Sequence, residues 1–389
     1  MAARQLSDTL WSWASEIDDV TIRQAQAAAR LPIIAGHIAL MPDAHLGRGA
    51  TVGSVIPTFG AVIPAAVGVD IGCGMIAVET DLGAADLPDT LSPMLSSLER
   101  AVPAGIGPRG EHRDNLRGAE RFVTTRRPHT ELTDAQTRKV LAQYGTLGSG
   151  NHFVEVCLDE RDLVWVVLHS GSRGVGNQLA TSHIKVARRL SGTLRYALPD
   201  ADLAWLSEGT SEFDAYIADM LWAQDYARAN RDAMMDAALR VVFRAVGSGR
   251  ERSRVNCHHN FTQREVHGGQ PVWLTRKGAI KADVGDRGVI PGSMGTATYV
   301  VEGLGNPASF ASCSHGAGRR LSRTAARKRF DGRDLAARMG ARTWQARDAD
   351  ALVDEIPDAY KDIDLVMADQ ADLVRVQHTL RQVLNMKGS

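Results

Sequence analysis

Cysteine is scarce in this chain: Cys73, Cys157, Cys257 and Cys313 are the only four in 389 residues. They are too few and too scattered to staple a domain of this size, and a reducing compartment keeps them as thiols available as ligands. Net charge is also absent, with 45 lysines and arginines against 45 aspartates and glutamates. That balance excludes a nucleic-acid binder driven by a charged tail, so any anionic partner must meet a local patch. No run approaches the ~20 apolar residues of a membrane span, and MAARQLSDTLWSWASEIDD lacks the pattern of a secretory signal. The expectation is a cytoplasmic protein. No Pro/Ser-rich linker interrupts the chain and no repeat of ~20 to 50 residues is visible. With 44% hydrophobic side chains, the chain reads as one elaborated α+β domain over 1–389 with a helical elaboration at about 178–247.

What is present is a series of glycine-rich loops set between short elements. Apolar spacing predicts helices over Asp19–Leu31 and Pro88–Val102, flanking a β-branched, Gly-rich stretch from His37 to Glu79 of strands and tight turns. A helix over Thr133–Tyr144 leads into GTLGSGNHFVEV. LVWVVLH then reads as a buried strand ending at SGSRGVG, followed by a helix over Asn177–Leu190. Asp214–Val246 reads as a long scaffold helix with arginines along its exposed face. After NCHHNF and a turn at HGGQ come the strand PVWLTRKGAIKA, the loop VIPGSMGTATY and SCSHGAGRR. Helices over Gly332–Ala346 and Ala368–Leu384 close the chain.

Of 12 histidines, the notable ones are His45 in MPDAHLG, His152 in SGNHF, His169 in LHSGS, His258 and His259 in NCHHN, His267 in VHGGQ and His315 in SHGAG. Nearly all abut glycine, serine or asparagine, where an imidazole reaches a metal or phosphate without obstruction and its second nitrogen can be oriented by a carbonyl or carboxylate. VGVDIGCGM adds a carboxylate, Asp70, and a potential thiolate, Cys73, with glycines at 68, 72 and 74 that let the backbone aim both at one point. The plain alternative is a turn aspartate and a small buried cysteine. Cys and His favour zinc, and a site richer in oxygen suits manganese or magnesium, so the ligand chemistry leaves the metal open.

The remaining loops read either as ordinary Gly-rich turns between strands or as phosphate-handling loops without the usual machinery. No G-x-x-x-x-G-K-[ST] occurs, and the glycines of GTLGSG precede a strand rather than a helix, which argues against P-loop and dinucleotide folds. GSGNH, PGSMGT and HGAGR nevertheless offer backbone N–H groups, hydroxyls or arginine in the manner of an anion-binding nest. The basic run RRLSRTAARKR is either a solvated helix face or a phosphate-contacting surface. LHSGSRG and SHGAGRR share a histidine, small residues and arginine, so His169 and His315 are interchangeable at this level as ligand and nucleophile. Lys281-Ala-Asp283-Val has valine where the lysine motif of nucleotidyl-transferring ligases needs glycine, and no catalysis is assigned to it.

MPDAHLGRGATVGSVIPT, VGVDIGCGM, GTLGSGNHFVEV, LHSGSRGVG, NCHHN, PGSMGTATY, SCSHGAGRRLSR and the closing MKG together resemble, in order and nearly in spelling, the RtcB-type RNA-splicing ligases, from Met41 to Gly388. The resemblance implies mixed sheets around a dinuclear metal and nucleotide cleft. It implies an enzyme of tRNA splicing or RNA repair that joins an RNA 3'-phosphate or 2',3'-cyclic phosphate to a 5'-hydroxyl, with GTP, two Mn2+ ions and an activating partner such as archease. By that similarity Cys73 bridges the metals, His169 and His259 complete one site, and Asp70 and His152 the other. His315 is the nucleophile that forms a histidine–GMP phosphoramidate. Nucleotide contacts fall by the same similarity on Asn151, His152, Phe153, Val154 and Glu155, on His259 and Asn260, and on Pro291, Gly292, Ser293 and Met294. Thr298, His315, Gly316, Ala317, Gly318 and Lys387 complete them. Glu155 is implied to read the guanine edge, and Thr298 replaces the family's usual serine.

Overall fold

The run Leu163–Ser170 is apolar almost without a break because both of its faces are covered. Val164, Val166 and Leu168 pack with Ile76, Val78, Val154 and Val156 against Met234, Met235, Ala238 and Val242 of the long helix. Trp165 and Val167 face the other way, onto Met75, Ala77, Phe153, Cys157, Val255, Val289, Val300 and Leu380. Each such side chain contributes about 1.5–3 kcal/mol when fully buried. The computed structural model describes residues 3–105, 107–112, 117–192 and 196–388.

The strand lies in an eight-stranded sheet whose main path runs Glu251–His258, Gly74–Gly83, Leu163–Ser170, Phe153–Leu158, Val374–Lys387, Thr298–Gly303 and Arg287–Pro291. Its two edge strands lie against each other, so the sheet nearly closes around the Trp165 layer. A six-stranded sheet runs Arg4–Ser7, Leu10–Ser12, Ile38–His45, Val52–Thr58, Gln270–Lys277 and Asn260–His267. The two sheets exchange chain at one residue: Glu251–His258 belongs to the first, Asn260–His267 to the second, and His259 is the crossing. A small pair, Ala279–Lys281 with Ser312–Ser314, joins them. With eleven α-helices among the described residues, the α+β expectation holds. No helix among them is long and apolar enough to cross a membrane.

Several expected elements move. The long helix is Ser211–Val246, capped at its start by Thr210, whose side chain accepts from Phe213 N, and ended by Gly247 in the left-handed region. The helix expected from Asn177 starts at Arg173, so part of the SGSRGVG loop is its first turn. The helix expected over Gly332–Ala346 stops at Met339, because Gly340 turns to φ +57°, and Thr343–Trp344 is a short strand. PVWLTRKGAIKA is two strands broken at Gly278, which has φ +60°.

The helix expected over Ala368–Leu384 is wrong. A helix covers Ile363–Asp369, and Val374–Lys387 is a 14-residue strand. Its register slips against Val300/Val301 and again between Gln382 and Leu384. Each bulge adds a residue and shifts the phase of the alternation, so apolar residues at 373, 376, 380 and 384 mimic a helical period.

Gly72 shows how tightly the opening loop is packed. It has φ +69°, and a Cβ there would lie 2.8 Å from Gln224 Cα of the long helix. Gly72→Ala is therefore expected to cost at least about 2 kcal/mol, from left-handed strain plus overpacking. Urea denaturation checks this; an unchanged midpoint would contradict it.

Candidate active site

Strand register assembles the site. Met75 pairs with His169 and with Cys257, His169 with Phe153, and Phe153 with Lys387. One row across five strands therefore carries residues from five remote segments. Cys73 and His152 lie just beyond this row, and His259 lies one residue past His258, which pairs with Gly74.

The side chains converge there. His169 Nε2 lies 3.2 Å from Cys73 Sγ and 2.9 Å from His259 Nε2. His152 Nε2 lies 3.5 Å from Cys73 Sγ and 3.2 Å from Asp70 Oδ2. The opposite nitrogens decide what these atoms carry. His152 Nδ1 donates to the Leu147 carbonyl (2.8 Å) and His169 Nδ1 to that of Asn151 (3.3 Å), which in a neutral ring leaves the lone pair on each Nε2. These two lone pairs thus face a carboxylate, a sulfur and the His259 imidazole, an arrangement that a cation relieves. Burial, with Asp70 beside it, pushes the Cys73 thiol well above its ordinary value, and a bound cation is what draws such a proton off. His169 and His259 are held well below the ordinary imidazole value by burial and by one another or His315, the neutral form that ligation needs. The donor set fits one or more divalent metals.

His258 is not part of this cluster. Its Nδ1 lies 2.9 Å from the Gly72 carbonyl and 3.2 Å from Arg231 Nη2. Arg231 itself, expected on an exposed helix face, is fully buried. Its guanidinium donates to the carbonyls of Gly72 (2.8 Å) and Ser170 (3.1 Å) and to Asn256 Oδ1 (2.9 Å), tying together the residues next to Cys73 and His169. Nothing in the helical period marks it among the helix's arginines, of which Arg228, Arg240 and Arg244 are exposed.

His315 stands beside the cluster, its ring centroid 4.7 Å from that of His259. Its Nδ1 donates to Asp43 Oδ2 over 2.6 Å, which leaves Nε2 as the free lone pair. The same oxygen accepts the backbone N–H of His315 (3.1 Å) and Gly316 (3.3 Å). Asp43 is completely buried. Burial raises its pKa, but His315, His45 and Lys361 outweigh that and hold it below the usual carboxylate range. Within MPDAH nothing in the local sequence separates Asp43 from an ordinary strand aspartate. Gly318 has φ +73°, and a Cβ there would lie 2.2 Å from the Asp43 carbonyl oxygen, so HGAG needs its last glycine to dock on this strand.

Two cavities meet at His45, Asn151 and His315. The first is lined by Phe153, Glu155, His169, the Pro291–Gly292–Ser293 turn, Gly316, Ala317, Gly318, Arg319, Arg323 and Lys387. The second, of about 620 Å³, contains Asp70, Cys73, His259 and Asn260 together with Arg48, Lys185, Arg188 and Lys277. Of the expected contacts, Val154 and Met294 have their side chains in apolar cores, leaving only backbone groups for a ligand. Thr298 is buried with its Oγ1 unpartnered and lines neither cavity. His267 pairs with Glu265 away from the cavities, and Lys281 with Asp286.

The basic run divides. Asp354 and Glu355, both buried, bind Arg319, Arg323 and Arg327, and Glu355 also binds Lys387 at 2.8 Å. The run is a tethered wall of the first cavity at Arg319 and Arg323. It is not an open basic groove.

Arg231→Leu removes the buried donor to the Ser170 carbonyl and Asn256 Oδ1 and leaves the Gly72 carbonyl with His258 alone, at about 1–3 kcal/mol for each acceptor left unpaired. The expected loss is about 3 kcal/mol or more in urea denaturation, only partly recovered in Arg231→Lys, whose ammonium lacks the fork. A loss under about 1 kcal/mol would contradict this.

A family profile described as tRNA-splicing ligase RtcB matches residues 24–388. RNA-splicing ligase RtcB1 of Escherichia coli (strain ATCC 25922) is 46% identical over 401 residues, covering 97% of both chains. RNA-splicing ligase RtcB of Escherichia coli K12 is 45% identical with the same coverage. The tRNA-splicing ligase RtcB of Nanoarchaeum equitans is 30% identical, covering 93% of this chain and 88% of its own. A profile match over residues 24–388 and 46% identity across 97% of both chains show that the chain belongs to the RtcB family of RNA ligases.

Proposed function

We propose that the chain joins RNA 3'-phosphate or 2',3'-cyclic phosphate ends to 5'-hydroxyl ends through a guanylate carried on His315, in tRNA splicing or RNA repair in the cytoplasm. The observation that carries this reading is the state of His315: Nδ1–H locked to a buried aspartate, Nε2 free at the junction of two cavities. A neutral imidazole so oriented is a competent nucleophile, and the carboxylate stabilises the positive ring that forms. His315 Nε2 attacks the α-phosphorus of GTP, an N–P bond forms, and pyrophosphate leaves with the electron pair. The guanylate then passes to the RNA 3'-phosphate, giving an RNA-3'-pp-5'-G end that the 5'-hydroxyl attacks with release of GMP. For a cyclic end, water opens the ring first.

The first cavity suits the nucleotide, with Asn151, Phe153, Glu155 and Lys387 on one wall and 291–293 and 315–318 on the other. The second, lined by Arg48, Lys185, Arg188 and Lys277, suits RNA phosphates. Cys73 would bridge two Mn2+ ions, with His169 and His259 on one and Asp70 and His152 on the other. When bound, such ions neutralise charge developing on phosphate oxygens. Archease or a similar activating protein is a partner the family resemblance implies.

Incubation with GTP labelled at the α-phosphate, with manganese, tests the reaction class. The expected outcome is an acid-labile, alkali-stable label on the protein that disappears in His315→Ala. Cyclic-phosphate hydrolysis without any label would favour a dinuclear phosphodiesterase instead.

Glu155 adds a pH signature. Burial pushes its carboxyl up to about 8, against the pull of Lys387 and Asn385. A carboxylate accepting two guanine N–H groups must be ionised, so the competent form is lost as pH falls below that value. Calorimetry is expected to show GTP binding roughly 25-fold weaker at about pH 6.5 than at about pH 8.5. Glu155→Gln should flatten the profile; a wild-type profile already flat would contradict the role.

A further inference from the structure

His45 lines both cavities, a position shared only with Asn151 and His315 among the described residues. One residue anchors both imidazoles. The Asp43 carboxylate takes the Nδ1–H of His315, and the Asp43 carbonyl takes the Nδ1–H of His45 at 2.8 Å. Because a carbonyl can only accept, His45 carries its proton on Nδ1 and its lone pair on Nε2. Two imidazoles that each donate Nδ1–H to Asp43 therefore share one strand, Ile38–His45, as a mount. His315 has its task in the nucleotide transfer, and Asn151 has no proton-accepting nitrogen. His45 alone at the junction is free to take a proton.

We propose that His45 is a catalytic residue of the sealing step, accepting the proton of the attacking 5'-hydroxyl; this rests on the function proposed above. In that step the 5'-oxygen forms a bond to the phosphorus of the activated 3'-end. The P–O bond to GMP breaks, and GMP leaves with the electron pair. The hydroxyl proton passes to His45 Nε2 and from there to solvent. Burial, with His315 and Lys361 nearby and Asp43 opposing them, keeps the free ring neutral, at about 4. The phosphates of a bound strand, guided by Arg48 and Lys277 of the same cavity, raise that value and make the ring a stronger base when substrate is present.

The test separates the three chemical steps in the full chain with GTP and manganese, using His45→Ala and His45→Gln. Glutamine retains a hydrogen-bond acceptor but takes no proton. Both variants are expected to label His315 and convert an RNA 3'-phosphate to RNA-3'-pp-5'-G at near wild-type rates. Sealing of preformed RNA-3'-pp-5'-G to a 5'-hydroxyl strand should slow by about a hundredfold or more, in kcat rather than KM, with the activated end accumulating. Sealing at the wild-type rate in either variant would overturn the proposal. So would a parallel loss of all three steps in His45→Gln, which would make His45 structural. If wild-type protein forms no labelled histidine, the function proposed above fails instead.

Discussion

Two backbone carbonyls, those of Leu147 and Asn151, set the chemistry of the site. By accepting the Nδ1 protons of His152 and His169 they leave both Nε2 atoms as lone pairs aimed at Cys73. Without those bonds either ring could turn or change tautomer, and the cluster would lose its common focus. The same device recurs at Asp43, whose carboxylate and carbonyl fix His315 and His45. Four imidazoles thus turn Nδ1 to an anchoring oxygen and Nε2 toward the site. The glycines of the loops they sit on let the backbone approach closely enough for this.

Everything else in the fold serves that alignment. The register of the eight-stranded sheet brings five segments to one end, and the exchange of strands between sheets at His259 places an imidazole where the sheets meet. Behind the cluster, Arg231 clamps the carbonyls next to Cys73 and His169. Burial draws that guanidinium down only to about 10, so it remains a cation at neutral pH. Its field favours a thiolate at Cys73, acting in the same direction as a bound metal.

How far the site was legible followed a physical boundary. Polar side chains close to glycine, serine or asparagine in loops and at strand ends draw notice, because few structural tasks need a histidine there; Asp70, Cys73, His152, His169, His259 and His315 all lie in such stretches, and the family resemblance supplied their roles. Asp43 and Arg231 work from inside a strand and a helix, where nothing in the local period separates a buried ion from an exposed one. The fold divided similarly. LVWVVLH and the long helix were plain from their patterns, whereas the closing strand was masked by two bulges that scrambled its alternation. The basic run was undecidable from sequence, since the acids that neutralise it, Asp354 and Glu355, lie about two dozen residues or more downstream of its arginines. Whether His169 or His315 is ligand or nucleophile was equally undecidable. The structure distinguishes their surroundings: His169 meets sulfur and two imidazoles, His315 a buried carboxylate.

The central claim is that Cys73 is the shared donor of two cations. Its most direct test is the manganese content of the protein after equilibrium dialysis, read by elemental mass spectrometry for wild type and Cys73→Ser. The account expects two ions per wild-type chain and parallel weakening of both in the variant. One ion retained at undiminished affinity would contradict it.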